Sequence, residues 1–151
     1  MKCVLGLILS LLSLNVVAEA IPFPSCTVNN QPVRYVSSPT HYDNSYTGYK
    51  YIASADIIDG QPVIDYNPTL LSTTPKEWNL QVMLHECGHV KLMHMYKPRH
   101  VSQEYEADCY SADILRKEYG YKEEEFDIIL KTMKEFLPYD RITAFKSCLN
   151  R

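Results

Sequence analysis

Basic residues never run longer than two in a row in this 151-residue chain, and fifteen Lys and Arg are outnumbered by eighteen Asp and Glu. A surface that tracks nucleic-acid phosphates needs clustered positive charge, so nucleic-acid partners are excluded from the leading functions. Glycine is scarce at five residues, and no internal repeat is present, which excludes collagen-like and repeat architectures. No cysteine pair has C-x-x-C spacing, so a thiolate zinc site is not expected. Nowhere does an apolar run reach the roughly 20 residues that a membrane-spanning helix requires. What remains is an ordinary globular composition, 46% hydrophobic and 22% charged, of a length that fits one domain.

The longest apolar run, Val4 to Leu14, follows Lys2 and precedes the small-residue box Ala18-Glu19-Ala20. This is the pattern of a secretory signal peptide over residues 1–20, cut before Ile21. The expected mature domain is residues 21–151, an exported protein of the periplasm or cell exterior, not membrane-bound after cleavage, and monomeric. Cleavage removes Cys3 and leaves Cys26, Cys87, Cys109 and Cys148. Four cysteines in an oxidising compartment predict two disulfides.

The mature chain changes character half-way. Residues 21–31 read as irregular, Val33 to Val36 as a short strand, and Ser37 to Gly48 as a polar surface loop. Tyr49 to Ile58 and Pro62 to Tyr66 are rich in β-formers around Asp59-Gly60, which predicts a hairpin, and Asn67-Pro68 closes the sheet region. Thr74-Pro75-Lys76-Glu77 then combines an N-cap threonine, a proline at the first helical position and a capping-box glutamate. The helix it opens is expected to continue to Pro98. Further helices are expected from Ser102 to Gly120, from Lys122 to Leu137, and from Pro138 to about Cys148. Strands followed by helices predict an α+β fold, with a small N-terminal sheet and about four helices.

Inside the first helix lies His85-Glu86-Cys87-Gly88-His89, an H-E-x-x-H motif. At 100° per residue the two histidines stand about 40° apart and one turn from each other, so both imidazoles can reach one ion. Glu86 sits beside them, placed to take a proton from a water on a bound zinc. For five His in a chain of this size an accidental match arises roughly once in a hundred chains, and this match falls on a well-signalled helix. Two histidines are half of a tetrahedral site, so a third protein ligand is required. An extension through residues 92 and 95 fails, because Leu92 and Met95 stand there. On a continued helix His94 points about 180° from the zinc side; with His41 and His100 it reads as a surface or partly buried histidine. Glu104 and Asp108, spaced i, i+4 on the next helix, are better placed. Glu104 is the candidate third ligand, and Asp108 the carboxylate that holds a ligating imidazole by its outer N–H. Glu106 points about 200° from Glu104 and reads as an acid favouring the helix dipole. Cys87 projects away from the zinc side, which disfavours a bridge to Cys109; of the three pairings, Cys26–Cys87 with Cys109–Cys148 is preferred.

H-E-x-x-H followed by a helix opening Glu104-Tyr105-Glu106-Ala107-Asp108 resembles the gluzincin zinc metallopeptidases, in particular the M48-like group and the related minimal single-domain members, and the ImmA-like group, which shares E-x-E-A, is nearly as similar locally. The likeness covers roughly His85 to Leu115. It implies a zincin-like fold, one Zn2+ per chain held by His85, His89 and Glu104, Asp108 behind a ligand, and Glu86 as general base. It also implies an extended peptide or protein substrate laid along Pro62 to Tyr66 or the neighbouring strand. Many members carry a His-Pro before an Arg-Ile near the C-terminus; here the segment reads Leu137-Pro138-Tyr139-Asp140-Arg141-Ile142, without the histidine. Arg141, Tyr139 and Tyr105 are then the candidates for stabilising the transition state. The expected function is an exported zinc endopeptidase. The alternatives are a catalytically inactive zinc-bound module that binds peptides or proteins, and a structural exported protein with an accidental motif.

Overall fold

The computed structural model describes residues 23–38 and 52–150. The expected signal segment, His41 and most of the expected loop lie outside these residues. The arrangement is α+β, with small sheets first and helices after them.

Residues 21–31 were expected to be irregular, yet Thr27–Val28 (β1) pairs antiparallel with Gln31–Pro32 (β2). Asn29 and Asn30 between them both adopt positive φ, 49° and 60°. A two-residue hairpin needs that left-handed pair, and asparagine tolerates it. The larger sheet holds Arg34–Ser37 (β3), Ala53–Ile58 (β4) and Gln61–Tyr66 (β5) in the order β3-β5-β4. β3 runs parallel to β5, and β4 runs antiparallel to it through the predicted Asp59-Gly60 turn. Val63, Ile64 and Asp65 are consecutive and all buried, so β5 is covered on both faces as well as paired on both edges. β4 is an edge strand of this sheet among the described residues.

Asn67-Pro68 does more than end the sheet. Asn67 Oδ1 accepts from the N–H groups of Thr69 and Leu70, at 3.0 and 3.1 Å, and caps a single helical turn, Pro68–Leu71 (α1). The expected capping box at Thr74 does not form: the Thr74 hydroxyl turns back toward Leu70, Leu71 and Asn79. Lys76–Lys91 (α2) therefore starts behind Pro75 without a side-chain cap.

Every residue of α2 from Trp78 to Gly88 is buried. Such a helix has no solvent face to give it amphipathic periodicity; it is the centre of the molecule, packed by the sheet on one side and by helices on the others. It ends at Lys91, short of the expected Pro98. Met93 adopts the left-handed conformation, φ 58° and ψ 31°, and reverses the chain into a short 3-10 turn, His94–Tyr96. Glycine usually fills that position; a side chain there costs about 1 kcal/mol.

Val101–Lys117 (α3) is capped by His100, not Ser102, in a reciprocal box with Gln103. Gly120, at φ 68°, turns the chain into Glu123–Phe136 (α4), and Tyr139–Leu149 (α5) completes the fold. Disulfides join Cys26 to Cys87 and Cys109 to Cys148, with Cα separations of 5.8 and 5.1 Å. The first ties the N-terminal segment to the inner face of α2, and the second ties α3 to α5. Among the described residues no helix is long and apolar enough to cross a membrane.

Candidate metal centre

α2 and α3 approach each other at Gly88. A Cβ built there would stand 3.2 Å from the Ala107 backbone and 3.1 Å from the Tyr110 ring. The missing side chain lets α3 lie close against α2, with Glu104 opposite the two histidines.

His85, His89 and Glu104 bring one donor atom each to within 4.8 Å of one another. The Nε2 atoms of His85 and His89 are 3.0 Å apart. Glu104 Oε2 lies 3.4 Å from His85 Nε2, and its Oε1 lies 3.5 Å from His89 Nε2. Ligands bound at 2.0–2.1 Å around a tetrahedral ion are separated by about 3.3 Å, close to the 3.0 Å between the two imidazoles and to the 3.4 and 3.5 Å from each of them to one Glu104 oxygen. A His-His-carboxylate set of this size can hold a divalent metal.

His85 and Glu104, two of the three donors, are held from behind. His85 Nδ1 stands 2.9 Å from Asp108 Oδ1, and Asp108 is 0% exposed. Arg141 then clamps Asp108 through Nε and Nη2, at 2.8 and 2.9 Å, and reaches Glu104 Oε2 with Nη1 at 2.6 Å. One guanidinium thus orients both acids, which is the fork geometry that arginine offers and lysine does not. Without a metal the charges follow from these contacts. Burial works against a proton on His85, but the Asp108 carboxylate outweighs it and raises the imidazole to about 10. Burial drives His89 down to about 3. Burial opposes ionisation of Glu104, yet its hydrogen bond and attraction to His85, with the Arg141 charge, hold it well below the ordinary carboxylate value.

Glu86 faces the same cleft. It is buried, and its Oε2 accepts the Ala55 N–H of β4 at 2.7 Å. Desolvation pushes its carboxyl up to about 7, close to where a general base works best at neutral pH. Ala55 pairs with Ile64 of β5 in the register where its N–H turns away from β5, toward α2. The strand edge beside the centre is therefore β4, the neighbour of Pro62 to Tyr66, because β5 itself is paired on both sides. Trp78, Val82, Phe136 and Leu137 give the cleft an apolar wall.

The sequence candidates separate. His85, Glu86, His89, Glu104, Asp108 and Arg141 come together. Tyr105 instead donates its hydroxyl to Asp140 at 3.1 Å, and Tyr139 is 82% exposed; neither is among the cleft-lining residues. Cys87 lies in the core on the opposite side of α2, bonded to Cys26. His94 corrects the sequence reading. It does not point away from the metal side but returns to it, with Nδ1 3.0 Å from His89 Nδ1, because the helix on which the angle was counted ends before it. Glu106 meets His94 Nε2 at 3.0 Å. The only sequence signal for this pair was Pro98, which limits how far the helix can run. No family model, curated protein or solved structure matches the chain.

Proposed function

We propose that this protein is an exported zinc-dependent endopeptidase. The observation that carries the reading is the convergence, in one cleft beside β4, of three metal-donor atoms and the buried Glu86 carboxylate. The donor set of two imidazoles and one carboxylate favours Zn2+ and leaves one position of a tetrahedron open. Zinc, when bound, supplies Lewis acidity to a carbonyl oxygen and to a water. The chain supplies the rest. Glu86 takes a proton from the attacking water and delivers it to the leaving amine. Asp108 keeps His85 oriented, and Arg141 holds Asp108 and Glu104 in place. An extended peptide lies beside β4, whose Ala55 N–H is already donated to Glu86, with one side chain against the wall of Trp78, Val82 and Leu137, so that cleavage depends loosely on sequence.

A second reading, a zinc-bound module that binds peptides or proteins without cutting them, is favoured by one observation. Arg141, the arginine candidate for the transition state, already spends three of its nitrogens on Asp108 and Glu104.

Cleavage of a peptide library by the zinc-loaded protein and by Glu86→Gln separates the two. The endopeptidase reading predicts cuts by the parent, loss of about a thousandfold or more in the variant, and loss on chelation. A parent that holds zinc and cuts nothing contradicts it in favour of the binding module.

A further inference from the structure

α3 carries three acids between Glu104 and Asp108, of which Glu104 and Asp108 stand against the histidine His85. The third, Glu106, lies on another side of the helix, and its carboxylate does not reach the centre directly. It meets His94 Nε2 at 3.0 Å, and His94 Nδ1 in turn lies 3.0 Å from His89 Nδ1. His94 is 4% exposed and is brought there by the left-handed Met93, a backbone conformation that a non-glycine residue adopts at a cost.

We infer that His94 and Glu106 are positioning residues that hold His89 in the tautomer able to bind the metal. The proton positions form a chain with one solution. For Nε2 of His89 to offer a lone pair to an ion, the ring proton must sit on Nδ1. That N–H then donates to Nδ1 of His94, which must be unprotonated there. The His94 proton is left on Nε2, where it donates to Glu106. Reversing any one bond puts a hydrogen on His89 Nε2, facing His85 Nε2, and closes the site. Each ligating imidazole thus faces a carboxylate of α3, His85 with Nδ1 2.9 Å from Asp108 and His89 linked to Glu106 through a second ring. Outer partners of this kind fix ring orientation and raise the basicity of the ligand.

The inference rests on the metal reading, and the test separates the two. Zinc affinity of the full purified chain is measured by competition with a chromogenic chelator, for the parent and for His94→Leu, Glu106→Leu, Glu106→Gln and the double leucine variant. His94→Leu is expected to weaken zinc binding by about 10–100-fold. Glu106→Leu weakens it severalfold, while Glu106→Gln, whose amide oxygen still accepts from His94, stays within about twofold of the parent. The double variant binds no more weakly than His94→Leu alone, because Glu106 acts only through His94. Denaturant unfolding of the same metal-free variants separates the roles: a positioning role lowers zinc affinity in Glu106→Leu at unchanged stability, whereas a merely structural tether lowers both. The Glu106 side chain is half-exposed, so its variants fold even where His94→Leu does not. Equal zinc affinity in the parent and in both Glu106 variants overturns the inference alone. A parent that takes up no zinc overturns the metal centre and the inference together.

Discussion

Arg141 is the residue on which the others depend. It stands 33 residues from Asp108 and 37 from Glu104, and it links both to the histidine side of the cleft. Asp108 is fully buried between Arg141 and His85, so removing the guanidinium leaves it only the imidazole as a charged partner among the described residues. Arg141→Met should therefore destabilise the protein by about 2–3 kcal/mol in denaturant unfolding, through lost charge-assisted hydrogen bonds to a buried acid. A loss below about 1 kcal/mol, the level of an exposed pair, would show that the clamp carries nothing. A second prediction concerns pH. In metal-free protein the folded value of His85 is raised to about 10 from an unfolded value of about 6.5. A raised folded value means stability fully present below pH 6.5 and lost as the pH climbs through 10. The denaturant midpoint of metal-free protein should fall from pH 7 to 10, and His85→Asn should flatten that limb. An unchanged slope in the variant would place the titrating group elsewhere. At this scale H-E-x-x-H was legible because its chemistry is a local spacing on one helix. Glu104 was legible because an incomplete tetrahedron demands another donor, and Asp108 because it shares the face of Glu104 at i, i+4. The role of Arg141 was not, since nothing local marks a partner more than thirty residues away.

Between elements, the close approach of α2 and α3 decides the site. Gly88 in mid-helix carries a propensity cost of about 1 kcal/mol relative to alanine, which alone would make Gly88→Ala stabilising. The Ala107 backbone at 3.2 Å cannot move aside as a flexible side chain would. Overpacking of this kind costs about 1–3 kcal/mol. Gly88→Ala is expected to lower stability by about 1 kcal/mol and to weaken zinc binding, because α3 carries Glu104 away from the histidines. Unaltered zinc affinity would show that the close contact is incidental. The element boundaries teach a matching lesson. The start of α2 and the end of α3 were read closely from proline and glycine, whose backbone limits are intrinsic. The end of α2 was not, because Met93 takes a left-handed turn with no glycine to announce it. His94 was misplaced for that reason alone: an angle of 100° per residue was carried past the point where the helix stops. β1–β2 and α1 were missed although Asn29-Asn30 and Asn67-Pro68 carry turn and cap signals of known type.

For the molecule as a whole, two covalent links hold a fold whose central helix has no water-facing side. Cys26 and Cys87 are 61 residues apart in sequence, and closing a loop of that length stabilises by about 4 kcal/mol on chain-entropy grounds. Cys87 lies between the motif residues but faces the core. Cys26→Ser with Cys87→Ser is therefore expected to lower the unfolding free energy by about 2–4 kcal/mol while leaving zinc affinity within about threefold of the parent. A large loss of zinc affinity in a folded double-serine protein would mean that the bridge sets the pitch of the ligand helix. The order of strands before helices was legible from the change in periodicity half-way along the chain. That β5 is paired on both sides, which leaves β4 as the edge beside the cleft, depends on sheet order and was not.

The most direct measurement is the zinc X-ray absorption spectrum of the full, zinc-loaded chain. The expected spectrum is that of one zinc with two imidazole rings and oxygen donors at about 2.0–2.1 Å, the oxygen shell losing one member in Glu104→Ala. A sulfur shell at about 2.3 Å, or a first shell that His85→Ala and Glu104→Ala leave unchanged, would contradict it.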